Sequence, residues 1–404
     1  MVWVHGEYIR EKNKKMTIVV LGAYIYRFGN LKMVEALQER YREYIFKSEI
    51  RHTSKTERGV FATEDIDVND VILKLPIENV MQGSHVDLTY RLMKLDNDYS
   101  RSLPAATTNF PVFWTDQEIA SLGGSALQSM IPSRKAKLLA ENTRGKTPSS
   151  IFLYYRSLVG SRAFTVNKSG TRLALVPYAD MLNHSITPNT DWKLCDEWFV
   201  LKATAKIPKN AELYDSYGVK TNYEACLFYG MVLKNNLQND ITYEMFDIPT
   251  SLRQNLNYDR LQSTVEFELC GSYSRGTTEI FSLVRFLTSE DGSPQRCPSS
   301  LHGLNIGPST RENEMRTVTE LMTAFQSIYD KKVVRLKDAT GKVAHFAGTE
   351  LSVLLHWVTV LKQAQEILAI SKQKAAKKAI DKYEANDYLN LVIRKLVNRA
   401  KNYK

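Results

Sequence analysis

Four short groups of residues combine charged, amide and aromatic side chains in an order that could support chemistry. Taken singly, each has an ordinary structural explanation: an asparagine–histidine pair is typical of a turn, a tyrosine–glycine pair of a strand end, and a lone arginine of a solvated loop. Their ordered occurrence in one stretch of the chain indicates a common site. The groups are Ser161–Phe164, Asp180–Ser185, Tyr214–Asn222 and Leu227–Gly230.

The elements that must position these groups are short strands interrupted by a helical stretch. Between about 86 and 159 the apolar spacing is helical, and from about 235 onward helix dominates. The separation of strand-rich from helix-rich sequence predicts an α+β fold rather than a doubly wound sheet. Strands are predicted at the apolar runs Gly59–Thr63, Val71–Pro76, Leu173–Pro177 and Trp198–Lys202.

The ordered motifs resemble those of the SET-domain protein methyltransferases. Within that family the chain is similar to the subfamily of the Rubisco large-subunit lysine methyltransferase, with the actin histidine methyltransferase as a cousin. The resemblance covers roughly residues 55–232. It is carried by ERGVFATEDI from Glu57, SRAF from Ser161, LVPYADMLNHS ending at Ser185 and SYGVKTNYEACLFYG ending at Gly230.

The resemblance implies a division into domains. Residues 1–47 are a segment without an assigned structure, and residues 48–232 are a β-rich SET domain that carries the helical insertion at about 86–159. Residues 235–404 are predicted to form an all-α domain with a basic tail. This domain resembles the substrate-binding domain that follows SET in the subfamily.

By resemblance, six residues are expected to bind S-adenosylmethionine. Asn183 and His184 match the loop that grips the adenine and methionine parts of the cofactor. Arg162 matches the arginine at its carboxylate end, a role suited to a permanently charged guanidinium. The other three, at the turn where the backbone approaches the cofactor, are Thr56, Glu57 and Arg58.

Five residues are expected, again by resemblance, to receive the target side chain. Tyr217 matches the catalytic tyrosine, Asp180 a carboxylate that lines the site, and Phe164 and Tyr229 the aromatic walls of the channel. Arg162 is shared with the cofactor site. No metal is expected, and the four cysteines of the chain form no C-x-x-C pair.

One position departs from the family pattern. At the early turn the family usually has Gly-x-Gly, whereas this chain has Glu57-Arg58-Gly59 and keeps only the second glycine. Because a residue with a Cβ has less conformational freedom than glycine, the backbone at Glu57 is expected to adopt a conformation open to other residues.

The residue types fit methyl transfer from a sulfonium to a neutral amine. Such an in-line displacement requires alignment of the nucleophile with the methyl group and exclusion of water. A lysine amine, with a solution pKa of about 10.4, must first lose its proton, which a narrow apolar channel and the opposing sulfonium charge both favour. Aromatic walls can hold the arriving cation. Tyr217 is expected to align the methyl group rather than to act as a formal base.

Lysine is preferred over histidine as the acceptor. The histidine-modifying cousin has an asparagine two residues after the motif arginine and a small residue later in the channel. This chain has Phe164 and Tyr229 at those places. Both differences favour a slim aliphatic amine, and a protein-histidine methyltransferase is the alternative.

Two functions of other classes stay open. The chain could be a SET protein that binds partners without transferring methyl groups, an interpretation supported only by the altered turn at Glu57. It could also bind nucleic acid through its basic C-terminal segment. That segment has few aromatic residues for base stacking, however, and its pattern fits a solvated helix face better.

Composition and charge limit the remaining functions. The chain has 404 residues, of which 43% are hydrophobic and 24% charged, as in globular proteins rather than collagenous or wholly disordered chains. Lys and Arg outnumber Asp and Glu by 54 to 44, and much of the excess falls after Leu361. The expected partner is a protein that presents a lysine; nucleic acid is not favoured, no membrane is expected, and the chain is expected to be a monomer.

The apolar run Met16–Tyr26 follows a basic stretch near the N-terminus. It is shorter than the roughly 20 residues that span a bilayer, and no small-residue cleavage site follows it, so a short strand or helix is expected. The expected compartment is the cytoplasm or nucleus, with a plastid as the alternative by analogy with the Rubisco enzyme.

Overall fold

A computed structural model describes the chain as two compact units. The first consists of the described parts of Met1–Thr108 and Lys135–Val219, and the second of those of Asn109–Arg134 and Lys220–Lys404. The described residues are 24–53, 57–104, 110–143, 147–167, 169–254, 263–289, 304–337, 339, 341–370, 386–392 and 396.

The strands of the first unit are short and close to those predicted. Pro76 ends the third strand because it offers no N–H to a ladder. In chain order they are β1 (Ser48–His52), β2 (Arg58–Ala62), β3 (Val71–Pro76), β4 (Met81–Gly83), β5 (Phe164–Thr165), β6 (Leu173–Leu175), β7 (Asn183–His184), β8 (Thr190–Leu194), β9 (Trp198–Ala203) and β10 (Glu212–Asp215).

The helices follow the predicted pattern, and α2 to α6 lie in or next to the stretch expected to be helical. Side-chain caps start several of them: Ser84 accepts the Asp87 N–H at the start of α2, and Thr221 forms a capping box with Glu224 at α7. They are α1 (Tyr24–Arg40), α2 (His85–Lys94), α3 (Asp98–Ser102), α4 (Asp116–Ala120), α5 (Leu127–Ala140), α6 (Ser149–Arg162), α7 (Asn222–Glu224), α8 (Thr250–Gln254), α9 (Arg275–Leu287), α10 (Arg311–Arg335), α11 (Gly341–Ala369) and α12 (Asp387–Val392).

Small sheets form the framework of the first unit. One has the strand order β1-β2-β10-β7, in which β7 runs parallel to β10 and the other pairs are antiparallel. The orders β3-β9-β8 and β4-β6-β5 belong to two antiparallel sheets. Together with the helices between β4 and β5, this arrangement confirms the predicted α+β class.

The core of the first unit holds these sheets in place. Val60 of β2, Leu73 of β3 and Leu213 of β10 are fully buried. Helices α2 and α6 pack through the rings of Tyr90 and Phe152, whose centroids are 5.4 Å apart. The core therefore fixes the strands on which the candidate site residues lie.

The second unit is mainly helical but contains a β-hairpin, so the prediction of an all-α domain was wrong. Strand β11 (Ile241–Asp247) pairs antiparallel with β12 (Thr264–Cys270). The buried face of β11 carries Thr242 and Glu244, with Phe246 as its apolar member. Because polar side chains occupy much of that face, hydrophobic alternation gave no strand signal. Long helices follow the hairpin and make up most of the core.

An apolar stripe runs along the helices near the C-terminus. Leu361, Ile367 and Leu368 of α11 are buried, as are Tyr388 and Val392 of α12. Among the basic residues of that segment, Lys362 is described and exposed, and all the others lie outside the described residues.

The apolar run near the N-terminus is only partly described. Helix α1 begins at Tyr24, within the run, and the residues before Tyr24 lie outside the described part of the chain. No helix among the described residues is both long and apolar enough to cross a membrane.

Candidate active site

The chain bends toward the candidate site at Tyr178, whose backbone conformation is strained. Tyr178 has φ 73° and ψ −52°, a combination that bulky side chains rarely adopt. Its ring is buried, and its hydroxyl shares a hydrogen bond of 2.9 Å with that of Ser48. The single 3₁₀ turn Ala179–Met181 follows immediately and buries Asp180. The surrounding core therefore maintains a backbone conformation that carries the carboxylate inward.

Pairing of β7 with β10 joins two of the sequence motifs. Asn183 lies opposite Tyr214, and His184 lies opposite Asp215. The two motifs are far apart in sequence, so the parallel ladder rather than chain proximity brings them together.

Tyr217 is attached to this ladder by two hydrogen bonds. Its backbone N–H donates to Nδ1 of His184 at 3.0 Å, and its hydroxyl donates to the carbonyl of Leu182 at 2.7 Å. The Tyr217 and His184 rings stack with centroids 5.1 Å apart. Because a backbone N–H can only donate, Nδ1 of His184 is the acceptor and the proton of the neutral ring is on Nε2.

Asn183 is oriented by the early turn and by a carboxylate. Its Nδ2 donates to the carbonyl of Arg58 at 2.9 Å and to Oε1 of Glu212 at 2.7 Å. A Cβ at Gly59 would overlap the Glu212 carboxylate and lie 3.1 Å from the Asn183 amide nitrogen. The glycine that the turn retains therefore permits the close approach of both side chains.

Arg162 and Asp180 meet in the interior of the first unit. Nη1 of Arg162 donates to the Asp180 carbonyl at 2.8 Å and lies 3.4 Å from Oδ2 of the same residue. The Tyr99 hydroxyl donates to that Oδ2 at 2.9 Å. Burial raises the pKa of Asp180, and the nearby Arg162 charge opposes this effect.

The Arg58 side chain joins the same cluster. Its Nη1 donates to the carbonyl of Ser102 at 2.6 Å. Burial, followed by the charge of Arg162, lowers the pKa of Arg58 from 12.5 to about 9, whereas the Asp180 charge raises it. At neutral pH the group is still a cation, and it is held in an environment that disfavours its charge.

Three buried polar atoms of this cluster have no hydrogen-bond partner among the described residues. They are Nη2 of Arg58, Nε of Arg162 and Oδ1 of Asp180. Buried polar groups are normally paired, so these atoms fit the polar end of a bound ligand. Within the described chain no group of three or more potential metal ligands is found.

Phe164 lies in an aromatic cluster of the first unit. Its ring meets the rings of Trp192 and Phe199 edge-on, with centroids 5.2 and 5.4 Å away. The Trp192 and Phe199 rings stack on each other at 5.6 Å. These contacts fix the orientation of Phe164 through apolar packing.

The remaining predicted residues are placed separately. Tyr229 belongs to the second unit, where it ends a π-helical turn, Ala225–Tyr229, and burial raises the pKa of its hydroxyl. Glu57 is exposed, and its carbonyl accepts the Thr53 N–H at 3.0 Å. Thr56 lies outside the described residues.

Asp215 is a buried acid beside the His184 ladder. Burial raises its pKa from 3.8 to about 6, the Ser216 N–H lowers it, and the Asp191 charge raises it. The residue is 5% exposed. The folded protein therefore favours the neutral form of this carboxyl group near pH 5.

Sequence reasoning did not identify Glu212, Tyr99 or the Arg58 side chain as parts of the site. Glu212 lies on β10 and orients Asn183, and it also accepts a hydrogen bond from Tyr214 at 2.7 Å. Alternation along β10 could have indicated which of its residues share a face. No local pattern links Tyr99 or Arg58 to Asp180.

Residues 57–218 match the model of the SET domain. A chloroplastic [fructose-bisphosphate aldolase]-lysine N-methyltransferase of Arabidopsis thaliana is 27% identical over 242 residues, which are 48% of this chain and 49% of that protein. Ribosomal lysine N-methyltransferase 1 of Saccharomyces cerevisiae is 28% identical over 99 residues, 23% of this chain and 17% of that protein. Both alignments cover less than two thirds of the relative's length.

Solved structures agree in fold. The SET domain of LSMT bound to lysine and AdoHcy has a TM-score of 0.56 at 18% identity, covering 84% of this chain and 93% of that one. Rubisco LSMT bound to AdoMet has a TM-score of 0.54 at 18% identity, covering 89% and 97%. The family resemblance of the sequence motifs is thereby confirmed. Residues 57–218 of the chain therefore match the SET domain, and the fold is similar to that of Rubisco LSMT.

Proposed function

We propose that this protein transfers methyl groups from S-adenosylmethionine to a lysine side chain of another protein. The observation that carries the proposal is the β7–β10 ladder, which joins Asn183, His184 and Tyr217 within one hydrogen-bonded unit. The sequence relationship to two lysine methyltransferases supports the same reaction class.

The described residues fit the cofactor. The unpartnered donors on Arg58 and Arg162 suit its carboxylate, and Asn183 and His184 would hold the remainder by the roles their motif implies. S-adenosylmethionine supplies a methyl group activated by an adjacent sulfonium. The protein then has to align the acceptor and exclude water.

Tyr217 is suited to alignment rather than to proton removal. Its hydroxyl proton is committed to the Leu182 carbonyl at 2.7 Å, and loss of that proton would break the hydrogen bond. The oxygen can still accept weak C–H···O contacts from a polarised methyl group. An acceptor amine must then lose its proton to solvent before attack, since an ammonium has no lone pair.

Lysine is proposed as the acceptor on the chemistry of Phe164. The Phe164 contacts with Trp192 and Phe199 are apolar and provide no hydrogen bond to turn an imidazole. An aliphatic amine needs no such bond, and aromatic faces attract it as a cation. The proposed partner is therefore a protein that presents a lysine.

The domain division and compartment are also proposals. We keep a SET domain over 48–232, with its insertion at about 86–159, and a C-terminal domain over 235–404 that binds the protein substrate. The chloroplastic relative supports a plastid location. The cytoplasm or nucleus remains the default prediction from sequence.

The direct test is incubation of methylation-depleted cell extract with pure protein and labelled S-adenosylmethionine. Mass spectrometry of the labelled band is expected to identify a methylated lysine, and the rate of labelling should fall about 10²-fold with Tyr217→Phe. Labelled histidine would overturn the lysine assignment. A folded protein that shows no S-adenosylmethionine binding in calorimetry would overturn the enzyme proposal itself.

A further inference from the structure

Arg58 combines two properties that an ordinary turn residue lacks. It lies at the turn expected to meet the cofactor through its backbone, and that backbone carbonyl accepts the Asn183 amide. Its side chain nevertheless extends into the interior, where one terminal nitrogen bonds the Ser102 carbonyl and the other has no partner among the described residues. The backbone therefore joins the Asn183 site while the guanidinium joins the Arg162 cluster.

The cluster carries a surplus positive charge. Arg58 and Arg162 are both cations, Asp180 is the single carboxylate among the described residues that acts on Arg58, and Tyr99 donates a neutral hydroxyl. A buried charge is tolerated when it is paired and hydrogen-bonded. One guanidinium in this cluster thus lacks a counter-charge among the described residues.

The unpartnered atoms also have a pattern. Nη2 of Arg58 and Nε of Arg162 are donors, whereas Oδ1 of Asp180 is an acceptor. Two cationic donors match a carboxylate, and a neighbouring acceptor matches an ammonium group. This combination is the chemistry of the free amino-acid end of a ligand.

We propose that Arg58 is a specificity-determining residue that binds the cofactor carboxylate together with Arg162. The inference rests on the proposed function, because it takes S-adenosylmethionine as the ligand. Arg58 selects ligands that bear a carboxylate, and occupation of the site neutralises the surplus charge of the cluster. Asp180 offers its free oxygen to the amino group of the same ligand end.

The test compares two ligands that differ only at the carboxylate. Calorimetry measures S-adenosylmethionine and its decarboxylated analogue, which keeps the sulfonium and the amine, on wild type and Arg58→Leu. The variant is expected to bind S-adenosylmethionine about tenfold more weakly or worse, the usual effect of losing a charge-assisted hydrogen bond. Its affinity for the decarboxylated analogue should stay within about twofold of wild type.

Other outcomes overturn the proposal. Unchanged affinity for S-adenosylmethionine would show that Arg58 does not touch the carboxylate, and an equal loss for both ligands would assign the residue to fold support. If wild type binds neither ligand, the proposed function fails and this inference with it. If wild type binds S-adenosylmethionine and Arg58→Leu binds it equally well, the inference about Arg58 fails and the proposed function stands.

Two further variants complete the design. Arg101→Leu removes the same charge next to Ser102 from an exposed position paired with Asp96, and both affinities should stay at the wild-type level. If Arg58→Leu does not fold, Arg58→Lys keeps the charge without the guanidinium fork. It should still bind S-adenosylmethionine more weakly with the analogue unaffected, and wild-type affinity for both would contradict the role.

Discussion

Arg285 of the second unit and the Arg58–Arg162 pair of the first unit have opposite surroundings. In the second unit Arg285 donates through Nε and Nη2 to both oxygens of Glu314, at 2.7 and 2.8 Å, and through Nη1 to the Ile306 carbonyl at 2.8 Å. The Tyr388 hydroxyl completes the Glu314 shell at 2.7 Å. In the first unit, Arg58 and Arg162 share Asp180 and keep unpartnered nitrogens among the described residues.

The difference separates fold support from ligand binding. A buried ion pair whose polar atoms are all hydrogen-bonded has none left to bind a ligand. Removal of one partner leaves the other charge buried and unpaired. A buried cluster with free donors and a free acceptor has already lost the hydration of those atoms. The Arg285 pair is therefore structural, and the Arg58–Arg162–Asp180 cluster is suited to bind.

The largest loss of stability is expected at the Arg285–Glu314 pair, in which every polar atom is hydrogen-bonded. Arg285→Met leaves the Glu314 carboxylate buried without its counter-charge and should lower the free energy of unfolding by about 3–5 kcal/mol. Urea unfolding measures the change, and cofactor affinity of the remaining folded protein should not move. Arg101→Met, at an exposed ion pair, should cost less than about 1 kcal/mol. Equal costs at the two sites would break the comparison.

Asp215 is a buried acid with no paired cation among the described residues. Its replacement should therefore raise the free energy of unfolding at neutral pH, whereas replacement of Arg285 lowers it. The folded-state pKa of Asp215 is raised from 3.8 to about 6, so the folded protein binds this proton more tightly than the unfolded chain. The free energy of unfolding should therefore fall as pH rises from about 4 to about 6. Asp215→Asn removes that fall and should be more stable than wild type by about 2–3 kcal/mol at pH 7, with little difference at pH 4.

Urea unfolding at several pH values tests this prediction, with Asp196→Asn as the exposed control in the turn between β8 and β9. The control should track wild type at every pH. A stability difference for Asp215→Asn that is the same at pH 4 and pH 7 would contradict the assigned titration.

Tyr217→Phe should separate chemistry from binding. The variant keeps the ring and loses the hydroxyl that contacts Leu182, so S-adenosylmethionine affinity should stay within a few-fold while turnover falls by about 10²-fold. Tyr154→Phe is the matched control, because its hydroxyl also donates to a backbone carbonyl, that of Pro104, at 2.7 Å. The control should lose about 1 kcal/mol of stability and no turnover. Normal turnover in Tyr217→Phe would mean that the Tyr217 hydroxyl, like that of Tyr154, has only a structural role.

The smallest predicted effect concerns the cofactor contacts. Arg162→Ala and Asn183→Ala should each weaken S-adenosylmethionine binding by more than about tenfold, corresponding to about 1.5–3 kcal/mol, with the fold intact. Asn167→Ala, whose side chain bonds only within its own turn in the described residues, serves as control. Lower melting temperature with unchanged affinity in both variants would mean that the two residues only support the turn.

Sequence reasoning reached the residues that stand in recognisable motifs. Arg162, Asp180, Asn183, His184 and Tyr217 were all predicted, and the structure groups them within the first unit. The ladder between β7 and β10 explains why the motifs work together. Their roles remain predictions until the variants are measured.

Other features could not be predicted because their partners are distant in sequence. Glu212 orients Asn183 across a sheet, and Tyr99 reaches Asp180 from a separate helix. The hairpin of the second unit was missed because Thr242 and Glu244 are on its buried face, where Glu244 pairs with Lys332 of a distant helix. A polar residue is predicted to be exposed unless the residue that pairs with it is known.

The sequence by itself determined the α+β class, the short strands and the motif residues, since these depend on local periodicity and residue type. Tertiary structure alone decided that the Arg58 side chain is buried beside Arg162 and that the Glu212 carboxylate packs against Gly59. It also decided that all three guanidinium nitrogens of Arg285 are hydrogen-bonded. The physical reason is that burial and hydrogen bonding of a charge are properties of its whole surroundings. A linear pattern records only the residue that carries it.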